Sequence, residues 1–191
     1  MKSQIIISLK MLGIMTILLG IIYPLFITGI AQVAFPSKAN GSLVDINGTL
    51  RGSELIGQKT DTAIYFSTRP SATDYNTLAS GGSNLGLTSQ KLYDLIQTRK
   101  TDFIAKNYLS DDTNIPSDIL FASASGLDPH ISPEAARIQI NRIARARGFS
   151  EEQKQQLTVL VNRLTEMPQL GLFGCRRINV FMLNLELDKL K

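Results

Sequence analysis

Residues 11–31 read MLGIMTILLGIIYPLFITGIA, 21 consecutive residues without a charge. As an α-helix at 1.5 Å rise per residue the run would extend about 31 Å, close to the hydrocarbon thickness of a bilayer. It exceeds the apolar stretch of a secretory signal, and its best small pair before a cut, Gly29 and Ala31, sits late. The run therefore reads as an uncleaved anchor rather than a signal peptide. Pro24 inside it removes one backbone hydrogen bond and is expected to bend the helix.

Charge on either side of the anchor sets its expected orientation. Lys2 and Lys10 precede the run, Lys38 and the more distant Arg51 follow it, and no acidic residue occurs before Asp45. The positive-inside rule then places residues 1–10 in the cytoplasm, a transmembrane helix at 11–33, and residues 36–191 outside as one α+β domain. The chain of 191 residues carries 20 Lys and Arg against 16 Asp and Glu. Setting Lys2 and Lys10 aside leaves 18 against 16, a balance without the concentrated basic footprint of a nucleic-acid binder. Cys175 is the one cysteine, so no internal disulfide can form, and a small buried apolar side chain is expected there.

Beyond the anchor, NGSLVDINGTLRGS at 40–53 places Leu43, Val44, Ile46 and Leu50 around Asn47-Gly48, a pair suited to a tight hairpin turn. Residues 63–67 and 118–123 have strand composition, and residues 68–89 are aperiodic. A helix is expected from about Gln90 to Asn107, capped by Thr88 or Ser89. Another should follow Ser132-Pro133-Glu134 and stop at Gly148, with Ala136, Ile140, Ile143 and Ala144 inward and Arg137, Asn141 and Arg145 outward. Ser150 and Gln153 form a capping box for a third helix carrying Leu157, Leu160, Val161 and Leu164. The closing run alternates Phe181, Leu183, Leu185 and Leu187 with more polar neighbours, which predicts a strand of the main sheet.

The chemistry this sequence excludes is broad. It has no GxxxxGK[ST] phosphate loop, and His130 is its single histidine, which rules out HExxH and multi-histidine metal sites. Ser83 in GGSNL lacks the glycine two positions on that a nucleophile elbow needs. A membrane-anchored serine hydrolase would have to pair Ser83 with His130, and Asp128 lies only two residues from that histidine. The glycine-rich YNTLASGGSNLG at 75–86 can aim backbone N–H groups at an anion or simply permit a tight bend. The serine-rich ASASGLDPHIS at 122–132 leads into a helix N-terminus.

Together these residues resemble a known family, the C subunit of the bacterial Kdp-type potassium-transporting ATPase. The resemblance rests on YP at 23–24, FP at 35–36, ANGSL at 39–43, RGSELIGQ at 51–58, YFSTRPSAT at 65–73, YN at 75–76 and ASGGSNL at 79–85. It continues in SASGLDPHISPEAA at 123–136, the Gln139-Ile140, Arg142, Ala144, Ala146-Arg147 pattern, and NLELDKL at 184–190. It implies a non-catalytic, single-pass subunit of a bacterial inner-membrane pump that takes up potassium at the expense of ATP. The implied partners are a channel-like potassium-conducting subunit, the P-type ATPase subunit, a small membrane peptide and the surrounding lipid. The family is further described as a catalytic chaperone that raises the ATP affinity of the pump subunit. Leu78-Ala79-Ser80-Gly81-Gly82 partly resembles the LSGGQ signature with which ABC transporters contact nucleotide, with an inserted alanine and Ser83 where glutamine is expected. The resemblance thus implies Ser80, Gly81, Gly82, Ser83 and Gln139 as ATP contacts. The charge bias places these residues outside the cytoplasm, where ATP is not available, and that topology follows from the anchor itself.

Overall fold

The computed structural model describes residues 2–190. Met1 and Lys191, the outer limits of the expected cytoplasmic segment and of the expected 36–191 domain, lie outside the described residues. The chain divides into two compact units, the first running to Ser53 and the second beginning at Glu54.

In the first unit, α1 (Lys2–Ile17) passes through a π-helical turn (Leu18–Ile22) into α2 (Tyr23–Ala34). The 33 residues of Lys2–Ala34 make one helix long and apolar enough to cross a membrane, with a peak mean hydropathy of 2.5 and no residue of that stretch buried. The π turn lies directly before Pro24, and the Tyr23 N–H donates to the Leu18 carbonyl five residues back. A proline ring crowds the carbonyl four residues before it, and widening the preceding turn accommodates that ring without ending the helix. A short α3 (Pro36–Ala39) leads to the antiparallel pair β1 (Leu43–Ile46) and β2 (Thr49–Ser53). Its turn is the expected Asn47-Gly48, at φ 55° and 75°, and the Asp45 carboxylate accepts from the Gly48 N–H at 2.7 Å.

The second unit is built around α6 (Pro133–Arg147), which packs against α4 (Gln90–Asn107) and α7 (Glu151–Arg163), while α8 (Val180–Leu187) packs on α7. The local signals for α6 and α7 act as expected. The Ser132 hydroxyl accepts from the Ala135 N–H, Gly148 ends the helix at φ 66°, and Ser150 and Gln153 close a reciprocal capping box. Ile140, Ile143, Leu157, Leu160 and Val161 enter one apolar core with Phe66, Phe103, Ile178, Leu183 and Leu187. The outward set Arg137, Asn141 and Arg145 is exposed.

Four expectations are corrected. Residues 180–187 form α8 and not a strand: Asn179 accepts from the Met182 N–H, and buried Val180, Phe181, Leu183 and Leu187 follow a helical spacing. Over eight residues that spacing shares positions with a two-residue alternation, so periodicity alone misleads. Residues 118–123 begin inside a single helical turn, α5 (Ser117–Leu120), and are not a strand. Residues 63–67 have no strand partner, because side chains take up their backbone groups. There is accordingly no main sheet among the described residues, only β1–β2 and the two-residue pair of β3 (His130–Ile131) with β4 (Ile178–Asn179). Cys175, expected to be buried, is exposed, in a segment where Glu166 pairs with Arg177 and Gln169 with Phe173.

Candidate functional site

The second unit gathers its unusual chemistry around the segment 60–70. Backbone N–H and C=O groups that lie inside a protein need partners, and here Arg142, Asn184 and Gln139 supply them across long sequence separations, with Arg147 donating to the Ile64 carbonyl at 2.8 Å. Arg142, 6 % exposed, donates to the carbonyls of Thr62 at 3.3 Å, Ala63 at 2.5 Å and Tyr65 at 2.9 Å. The Asn184 amide accepts from the Phe66 N–H at 2.8 Å and donates to the Phe66 carbonyl at 3.0 Å. Gln139 does the same for Ser67, at 2.8 and 3.3 Å. A segment with a strand's composition is thus held by side chains of α6 and α8 in place of a sheet.

The aperiodic 68–89 stretch packs on itself and on the second serine-rich loop. The Tyr75 hydroxyl donates to the Arg69 carbonyl at 2.7 Å and meets the Thr68 hydroxyl at 2.8 Å; burial holds this phenol above its usual range. The Ser123 N–H donates to the Pro70 carbonyl. At the far side of the loops Arg69 pairs with Asp128 at 3.1 Å, and Asp128 accepts from the His130 N–H at 3.0 Å while the ring Nδ1 lies 3.1 Å away. Burial alone would raise the Asp128 carboxyl, but the hydrogen bonds from His130 and the charge of Arg69 outweigh it and hold the group below its usual range.

The glycine-rich motif turns its donors inward. The Gly81 N–H and the Ser80 hydroxyl both donate to the Ser125 carbonyl, at 3.0 and 2.9 Å. A Cβ on Gly82 would stand 3.2 Å from the Ala124 carbonyl oxygen. Gly57 approaches the same loop more closely: its N–H donates to Leu127 at 2.7 Å, and a Cβ there would lie 2.7 Å from the Asp128 carbonyl oxygen. Ser83 is exposed. Among the described residues no hydrogen bond joins Ser83 to His130, so the constellation a serine hydrolase requires is not assembled. No group of three or more His, Cys, Asp or Glu side chains among them could hold a metal.

The five implied nucleotide contacts therefore fall apart by environment. Ser80, Gly81 and Gly82 lie against the 122–128 loop, and Ser83 faces outward. Gln139 is fully buried, its amide shared among Ser67, the Ala135 carbonyl and the Arg142 guanidinium. Sequence reasoning missed Arg142, Asn107 and Asn184. Arg142 sits beside Ile143 on the inward side of α6, and the repeated three-residue step from Gln139 is the one local signal that could have marked it.

The chain thus combines a helix of membrane-crossing length with a second unit whose loops are clamped by buried polar side chains. Comparison with known families makes the class particular. The family model for "KdpC: K+-transporting ATPase, c chain" matches residues 5–189, and the chain belongs to this family. The Potassium-transporting ATPase KdpC subunit of Koribacter versatilis is 47% identical over 190 residues, covering 98% of this chain and 95% of that protein. The subunits of the same name from Caldanaerobacter subterraneus and Leptospira interrogans are 42% identical over 187 residues and 46% identical over 182. The former alignment covers 98% of this chain and 95% of that protein, the latter 95% and 92%.

Proposed function

We propose that this chain is the docking and stabilising subunit of a potassium-transporting ATPase complex. It hydrolyses nothing itself, and it assembles with a potassium-conducting subunit, a P-type ATPase subunit and a small membrane peptide. Membership of the KdpC family over nearly the whole chain carries the reading. The inward-turned donors of the glycine-rich loop support a docking role over a reactive one, since the Ser125 carbonyl already occupies Gly81 and Ser80. The subunit raises the ATP affinity of its ATPase partner through assembly. Of the five implied ATP contacts, Ser83 is the one whose polar side chain is both exposed and without a hydrogen bond among the described residues.

The test is potassium-dependent ATPase activity of the purified complex, with ATP titrated across its working range. Ser83→Ala is expected to leave activity and apparent ATP requirement nearly unchanged. Gly57→Ala is expected to cost about 1–3 kcal/mol of stability, because backbone must move to admit the Cβ, and Gly82→Val should likewise reduce assembly. A sharply raised ATP requirement in Ser83→Ala, with normal assembly, would establish direct nucleotide contact instead.

We place the chain in the bacterial inner membrane with its N-terminus in the cytoplasm, on the strength of Lys2 and Lys10 before the span. A reporter that functions only outside the cytoplasm, fused after Lys191, is expected to be active. Activity confined to a cytoplasmic reporter would reverse the orientation.

A further inference from the structure

A cavity of about 430 Å³ opens between the clamped segment and α4, with Arg99 and Arg142 in its lining. Arg142 is nearly buried and places all five N–H donors on uncharged acceptors: three backbone carbonyls, Asn107 and Gln139. Arg99 is half-buried and donates through Nη1 to the Leu120 carbonyl at 2.8 Å, leaving its Nε–Nη2 edge without a protein partner among the described residues. Neither guanidinium has an ion pair among the described residues. Asp61 and Asp102 also line the cavity, with Lys106, but Asp61 is 74% exposed and pairs with Lys59 at 3.8 Å, and Asp102 is exposed, with no ion pair among the described residues. Burial pushes both arginines below their usual pKa, the direction a cation takes when no carboxylate offsets its desolvation.

We propose that this cavity accepts a carboxylate, seated on the free edge of Arg99, which it pairs, and offsetting part of the remaining positive charge of Arg142. A guanidinium edge presents two parallel donors that match the two oxygens of a carboxylate. Arg142 has no donor left to offer, so it contributes charge but no further hydrogen bond. One fork with a nearby positive charge suits a two-oxygen monoanion better than a phosphoryl group, whose additional oxygens would find no donors from these arginines. The carboxylate comes either from an acidic side chain of a partner subunit or from a free small anion.

The experiment uses the full chain in detergent and acetate as probe, against chloride at the same ionic strength and pH. Calorimetric unfolding is expected to show a saturable rise in Tm of about 2–4 °C with acetate. The rise should vanish in Arg99→Gln and fall strongly in Arg99→Lys, which keeps the charge and loses the fork. Should Arg99→Gln not fold, Arg99→Lys decides alone. No rise beyond that of chloride, or a rise undiminished in the variants, overturns the proposal. This arm does not depend on the pump reading. Amide exchange of residues 99–108 in the assembled complex then separates the sources. Further protection on adding acetate indicates a free anion. Protection already complete, with poorer recovery of Arg99→Gln among the other subunits, indicates a partner's carboxylate. Exchange in the complex that is neither slower than in the isolated chain nor slowed by acetate also overturns the proposal.

Discussion

Replacing Gln139 with leucine is expected to destabilise the second unit by about 3–5 kcal/mol, read as a fall in the urea midpoint of the detergent-solubilised chain. The substitution nearly conserves volume, so little cavity forms, and the cost comes from polar groups left behind. Gln139 accepts from the Ser67 N–H and from Arg142, both at 2.8 Å, and donates to the Ser67 carbonyl at 3.3 Å. Each buried group stripped of its partner costs about 1–3 kcal/mol. Gln139 is 0% exposed, so water cannot stand in. The same variant separates two roles for this residue. As a clamp, its loss reduces recovery of folded chain at every ATP concentration. As a nucleotide contact, it would leave the urea midpoint near wild type and raise the ATP requirement alone.

The second large effect lies in the span. Leu18→Arg puts a charge at the first residue of the π turn, near the middle of Lys2–Ala34. Insertion scales set the cost at about 2.5–3.5 kcal/mol for a central arginine. Membrane-integrated chain, measured as the fraction resisting alkaline extraction, is expected to fall, with less of it incorporated into the complex. An assembly yield equal to wild type would show that association rests on the second unit rather than on the helix.

These two sites also mark what could and could not be read from sequence. The long apolar helix was legible because an uncharged run of that length is itself enough to cross a bilayer. The β1–β2 hairpin, α6 and α7 were legible because Asn47-Gly48, Ser132-Pro133-Glu134 with Gly148, and the Ser150–Gln153 box are local devices that work within a few residues. The clamp was not. Gln139 reaches Ser67 across 72 positions and Asn184 reaches Phe66 across 118, distances over which periodicity carries no information. Its consequence is that 63–67, with a strand's composition, needs no sheet. Arg142 shows the same limit, since a basic residue on an amphipathic helix is ordinarily solvated. The glycine motif was found in sequence, but its direction was not. Only the approach of the 122–128 loop shows that Ser80 and Gly81 donate inward.

The central claim is that this chain is a stably held subunit of a potassium-transporting ATPase. Affinity purification of the tagged chain from native membranes in mild detergent, with subunits identified by mass spectrometry, tests it most directly. The account predicts co-purification of a P-type ATPase subunit and a potassium-conducting subunit in constant ratio through size exclusion, with potassium-dependent ATPase activity in the same peak. Recovery of the folded, membrane-integrated chain alone, under conditions in which those subunits are present and intact, would contradict it.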